Sequence, residues 1–259
     1  MDTIYLSTRE VLRFMVVFAR VGGIMVFAPV FSARSVPAQI KIIFALVCSI
    51  AMMPAAAVMQ IPEEPGIYAI LDCAFGEILI GMVLGFVASM IFAAMQFAGQ
   101  LISFNLGFAI INLIDPQSDV EVSVFGLLEN YLGLIFFLLI NGHHWFFLAV
   151  SDSFRYLPVQ GVHLTGPSIQ EIVRLSSQVL TAGVQIAAPV LAVTIICDVI
   201  LGIIGRAAPQ IQILIVGMPL KTLVGFTCLS ISFYFLPQLL GRLFIQLYRS
   251  LFALMHSMA

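Results

Sequence analysis

Charge is what this chain has least of. Lys, Arg, Asp and Glu together make up 9% of its 259 residues, where a soluble domain carries about 25%. So low a density excludes an ordinary soluble globular domain. The formal net charge of −2 also excludes a nucleic-acid binder, which needs a basic face. Cysteine is scarce and scattered. Cys48, Cys73, Cys197 and Cys228 lie singly inside apolar runs without a CxxC pair, so they read as buried, inert thiols rather than disulfides or metal ligands. Phosphate loop, dinucleotide fingerprint and nucleophile elbow are all missing. With no Ser/His/Asp spacing and no metal cluster, the sequence makes no case for an enzyme or for a cofactor. The start, MDTIYLSTRE, lacks a basic n-region before an apolar stretch, so a cleavable signal peptide is not expected.

What is present is hydrophobic. Apolar residues account for 61% of the chain and the mean hydropathy is +1.12, values of a membrane-class protein or of one buried inside a hydrophobic assembly. Six apolar blocks run over about 11–31, 42–60, 67–114, 122–151, 175–205 and 222–254. All read as helix, which predicts an all-α integral membrane-class protein of long, broken apolar helices.

Two features resist a simple bundle of spans. Residues 78–114, 37 positions counted inclusively, hold no charge. One helix of that length would be about 55 Å long against ~30 Å of hydrocarbon, so a break, a steep tilt or a setting other than plain bilayer is expected. The basic residues also show no bias. Arg34, Lys41, Arg206 and Lys221 would share one side and Arg9, Arg155, Arg174, Arg242 and Arg249 the other, so the positive-inside rule does not orient the chain.

Ionisable residues inside the blocks need a partner or water. Arg13, Arg20, Glu77 and Asp198 are expected to be buried charges, and Asp72 and Glu129 also fall within blocks. Glu77 and Asp198 have two readings, proton relay and internal ion pair with Arg13 or Arg20; the ion pair is favoured. Gly81, Gly85, Ser89 and Ala93 recur every fourth residue and form a smooth stripe for another backbone. Packing within the chain and packing between subunits use the same physics there. His143 and His144 are adjacent in NGHHW, a spacing that chelates poorly, so a polar helix break beside Trp145 is expected and a metal site is not. The acidic loop NLIDPQSDVEV follows the glycine-punctuated FNLGFAII. Irregular backbone at membrane depth survives only where protein buries it or water reaches it, which makes 104–121 the candidate pore constriction. The segment RAAPQIQILIVGMPLK, 206–221, holds an apolar run over 211–220 that is too short to cross a bilayer.

In chain order, VPAQIKIIFAL (36–46), AGQLISFNLGFA (98–109), IDP (114–116), NGHHW (141–145), Ser153, Phe154, Leu157 and Pro158, and RAAPQIQILIVGMPLK together resemble the FliR family of the bacterial flagellar type III export gate. The resemblance covers nearly the whole chain. It implies a non-enzymatic subunit at the centre of the basal body in the bacterial inner membrane, beside FliP and FliQ and in contact with FlhB and FlhA, passing unfolded flagellar export substrates. It implies a FliP-like helical part over 1–165 and a FliQ-like helical hairpin over 166–259. The gate's helical cone, much of it lifted out of the membrane plane, would account for the flat charge map and the overlong third block. The resemblance also implies a pore plug at Gly107, Phe108, Ile110, Ile111, Leu113, Asp115 and Pro116, and a hairpin tip and partner contact at Arg206, Pro209, Gln210, Gln212, Pro219 and Lys221, with the prolines interrupting helices at both ends. The chain departs from the family's habit at Ile110 and Leu113, where phenylalanine is common, and at Gln212, where asparagine is usual. An injectisome subunit is the nearest competing reading. A secondary transporter is the competitor from another class, but the inverted repeat that transporters usually carry is not visible.

Overall fold

A computed structural model describes residues 8–28, 36–58, 66–108, 124–157, 166–208 and 213–258. Its helices are α1 (Thr8–Phe27), α2 (Ala38–Met52), a short 3-10 turn (Ala55–Val58), α3 (Ile67–Asn105), α4 (Val124–Leu139), α5 (Gly142–Tyr156), α6 (Gly166–Ala207) and α7 (Ile213–Met258). Among the described residues there is no strand. The protein is all-α and of the membrane class. Ile67–Asn105, Gly166–Ala207 and Val216–Met258 are each long and apolar enough to cross a membrane, and Phe125–Leu139 with Gly142–Tyr156 counts as a fourth if taken as one broken span.

The third apolar block forms one long helix that ends inside the charge-free stretch, at Asn105. Helix α3 holds 39 residues without interruption, about 58 Å at 1.5 Å per residue. It lacks proline and its polar residues gather on no one side, the pattern of a helix surrounded by protein or lipid. Its end is encoded by one glycine. Gly107 has φ +87°, its N–H bonds the Phe104 carbonyl at 3.1 Å and the Phe108 N–H bonds the Ser103 carbonyl at 3.1 Å. This is the pair of bonds that satisfies the last carbonyls of a helix when a residue without Cβ takes the left-handed conformation.

The fourth block is two helices. Asn141 adopts left-handed φ 56° and ψ 33°, its carbonyl takes the His144 N–H at 2.9 Å, and α5 starts at once. The polar break expected at NGHHW is therefore present. Asparagine is the non-glycine residue that tolerates this conformation best.

Prolines behave differently from their usual role as breakers. Pro189 lies inside α6, and Pro219 and Pro237 lie inside α7. This corrects the expectation that Pro219 interrupts a helix. From Ile213 onward, the apolar run of 211–220 forms the opening turns of a 46-residue helix. Each proline removes one N–H donor, but in an apolar setting any non-helical path would strand more backbone groups.

Contacts divide the chain into two compact units. The first comprises Met1–Met90, Asn141–Ser176 and Ile245–Ala259, and the second Ile91–Ile140 and Ser177–Phe244. Helices α3, α6 and α7 contribute residues to both, so compactness does not follow the division at 165/166 that the resemblance implies. In the first unit, Trp145 on α5 stacks edge-on against Tyr248 of α7 at 5.2 Å, and the Ser168 hydroxyl bonds the Ser257 carbonyl at 2.7 Å. The second unit has a core of Met95, Ala98, Ile102, Leu106 and Phe125 with residues of α6 and α7 such as Val190, Leu229 and Leu236.

Candidate functional site

In the first unit, the small-residue stripe brings two helices into backbone contact. A Cβ on Gly81 would collide with the Arg20 carbonyl and stand 3.0 Å from the Gly23 Cα, and one on Gly85 would meet the Ile24 carbonyl at 2.6 Å. Of the two readings left open for the stripe, Gly81 and Gly85 show packing within the chain, against α1. Ser89 is half-buried and turns its hydroxyl back to the Phe86 carbonyl at 2.7 Å. Ala93, in the second unit, is exposed. The same face of α3 carries Glu77, one turn before Gly81, so the close approach delivers Glu77 to Arg20.

Arg20 and Glu77 form a buried ion pair, 0% and 1% exposed. The Arg20 Nη2 donates to Glu77 Oε1 at 3.0 Å while Nε donates to Oε2, the bidentate fork that suits a carboxylate best. The remaining contacts join α1 to α5: Nη1 donates to Ser153 Oγ at 3.0 Å and Nη2 to the Leu157 carbonyl at 3.1 Å. The Phe154 ring lies under the guanidinium, with Cζ 4.5 Å from its centroid. Ser153, Phe154 and Leu157, noted as a motif, are thus the residues that surround Arg20. The ion-pair reading of Glu77 holds.

The other expected buried charges do not all follow. Arg13 is part-buried and bonds Glu10 at 2.8 Å on its own helix. Asp198 is not buried: it is 52% exposed and pairs with Lys221 at 2.6 Å. Asp72 is exposed as well. An apolar neighbourhood in sequence failed as a guide to burial because α6 presents apolar residues outward, among them Ile195, Ile196, Val199 and Ile200. Glu129 on α4 is 2% exposed, and its Oε2 has no hydrogen-bond partner among the described residues.

In the second unit, the exit of α3 is held by α7 and α4. Leu106 enters a notch left by Gly225, where a Cβ would collide with its Cδ2. The Thr222 hydroxyl lies 2.9 Å from the Met218 carbonyl and 3.4 Å from the Leu106 carbonyl, with one proton to give. Phe108 meets Phe125 edge-on at 5.2 Å and Phe226 at 6.4 Å, and Phe125 and Phe226 lie 5.4 Å apart. Leu106, Phe108, Thr222 and Phe226 line an open groove of about 760 Å³ with Met218, Thr227 and Ser230. Gly107 and Phe108 are the described residues of the expected plug. Ile110, Ile111, Leu113, Asp115 and Pro116 lie outside the described residues. Sequence reasoning missed Phe125, Thr222, Gly225 and Phe226. Only Gly225, a lone glycine amid apolar residues, carried a signal of close approach.

At the hairpin tip, Arg206 is exposed in the last turn of α6, where a cation complements the helix dipole. Lys221 reaches back across to Asp198. Pro209, Gln210 and Gln212 lie outside the described residues. His143 and His144 sit edge to face at 6.2 Å. No group of three or more His, Cys, Asp or Glu among the described residues could hold a metal ion.

Comparison with known proteins bears on the whole chain. Residues 11–247 match the family described as Bacterial export proteins, family 1. The flagellar biosynthetic protein FliR of Bacillus subtilis (strain 168) is 33% identical over 254 residues, 93% of this chain and 95% of that protein. FliR of Escherichia coli (strain K12) is 30% identical over 211 residues, 82% of this chain and 80% of that protein, and FliR of Pectobacterium carotovorum is 27% identical over 233 residues, covering 89% and 88%. With a family match that leaves out only the two ends and a relative aligned along nearly its full length, the chain belongs to the bacterial export proteins, family 1, as a member of the FliR family.

Proposed function

We propose that this chain is a structural, channel-forming subunit of the flagellar type III protein export gate, set in the bacterial inner membrane within the basal body. The observation that carries the proposal is the near full-length likeness to proteins named for flagellar biosynthesis within a family named for bacterial export. The described helices favour the same reading. Outward apolar residues such as Ile43, Val47 and Ile50 on α2 and Ile196, Val199 and Ile203 on α6 need lipid or protein to cover them, and a gate with FliP, FliQ, FlhB and FlhA supplies both. In this proposal residues 1–165 are the FliP-like part and 166–259 the FliQ-like hairpin.

The closed passage is sealed by the segment that begins at Gly107 and Phe108 and continues through Ile110, Ile111, Leu113, Asp115 and Pro116. Bulky apolar side chains at a constriction exclude water and ions. Glycine at the entry frees the backbone to turn out of the helix, as Gly107 does with φ +87°. Unfolded flagellar subunits would displace this segment as they pass. No group transfer is involved, so the work of the side chains is packing, exclusion and support.

Deletion of residues 110–114 tests the seal. The expected result is a normally assembled gate that leaks ions and retains part of its export, read as membrane permeability and as secreted flagellar subunits. An intact permeability barrier with normal assembly would contradict the plug assignment.

A further inference from the structure

The expected plug begins at the end of α3, and residues of other helices contact that end. Helix α3 ends in the left-handed turn at Gly107, a turn that its own sequence encodes. Three contacts from other helices hold Leu106 and Phe108. Leu106 fills the notch at Gly225. Phe108 packs against Phe125 of α4 and Phe226 of α7, with ring centroids at 5.2 and 6.4 Å. Phe125 and Phe226 also touch each other, at 5.4 Å, and close the triangle. Edge-on aromatic contacts at such distances contribute beyond the area they bury.

The exposures of the three rings differ in an informative way. Phe125 is buried, Phe108 half-buried and Phe226 exposed at 44%. Phe226 sits on the rim of the groove that Gly107, Phe108, Met218, Thr222 and Thr227 also line. It holds Phe108 from outside the core, where the contact can be given up without opening a cavity.

We propose that Gly225, Phe125 and Phe226 form a clasp on Leu106 and Phe108, and that this clasp positions the start of the plug and so maintains the closed passage. The proposal rests on the plug reading given above and adds the residues that hold it in place. Phe226 and Gly225 are positioning residues: they act through Phe108 and Leu106 and need not touch the exported chain. Opening requires Phe108 to leave the Phe125 and Phe226 rings while the core of Met95, Ile102 and Val190 stays packed.

The test compares three variants in the full gate, each checked for co-purification with the other gate subunits. Phe226→Ala removes one jaw at an exposed position. Gly225→Ala adds one methyl group that expels Leu106 from its notch, while alanine favours the helix it sits in. Phe226→Tyr keeps the ring. The expected result is a several-fold rise in ion permeability for the first two, with export retained, and wild-type tightness for Phe226→Tyr. Should Phe226→Ala fail to assemble, Gly225→Ala decides by the same measure. Assembled Phe226→Ala and Gly225→Ala gates that both stay tight overturn the clasp. The 110–114 deletion separates the two ideas. If that deletion leaks and the clasp variants do not, the plug stands and the clasp falls. If the deletion stays tight as well, the plug reading itself fails, and the clasp with it.

Discussion

Arg20 shows how a charge is kept inside an apolar helix pair. Both members are out of solvent, at 0% and 1% exposure, and four hydrogen bonds from the guanidinium take up nearly all its donors. Removing only one partner leaves an uncompensated buried charge, which costs about 3–5 kcal/mol, whereas replacing both by apolar residues of similar volume is often neutral. Arg20→Met alone should therefore lower the thermal stability of the purified protein strongly, and Arg20→Met with Glu77→Leu should recover most of it. Equal losses in the single and double variants would mean that the Ser153 and Leu157 contacts, not the Glu77 charge, account for the effect. The pair was legible in sequence as a preference for ion pairing, since two ionisable residues inside apolar blocks require partners. Asp198 was misread by the same logic. Its helix turns apolar residues outward, so apolar neighbours in sequence said nothing about burial, and Lys221, 23 positions on, was not considered as its partner.

At the scale of elements, most helices follow from the apolar blocks, and their ends follow from single residues. Gly107 and Asn141 hold the two left-handed conformations among the described residues, and both stood in motifs that the sequence singled out. Asn141 makes no side-chain cap, so its conformation matters more than its amide. Asn141→Gly should leave stability near wild type, while Asn141→Val should cost about 1–2 kcal/mol through strain at positive φ. Limited proteolysis of purified variants checks this, with earlier cleavage expected for valine alone. Pro219 was misleading because proline marks a helix end only where water can take over the freed carbonyl, whereas Pro189 and Pro237 lie inside helices as the apolar blocks implied. The length of α3 fits the alternatives that the sequence left open, because a hydrocarbon thickness sets a helix length only for a helix that lipid alone surrounds, and the charge-free stretch ends its helix at Asn105. The clasp on Phe108 was beyond sequence reasoning, since Gly225 and Phe226 are more than a hundred positions away and meet it only through the packing of α7 on α3.

For the whole molecule, the match across residues 11–247 and the relatives named for flagellar biosynthesis place the chain in a family whose resemblance the ordered motifs had already carried. The structure adds a physical reason for an assembly. Apolar side chains cover the outer faces of α2 and α6, and ion pairs such as Arg20 with Glu77 are kept for contacts inside the chain. The proposed role is therefore one of packing and sealing among other subunits, and its readout is transport. The most direct measurement is secretion of flagellar filament and hook subunits into the medium by cells from which this chain has been deleted, with membrane integrity followed in parallel. The account predicts that secretion is lost, that the subunits accumulate in the cytoplasm, and that supplying the chain in trans restores export. Undiminished secretion in the deletion strain would contradict it.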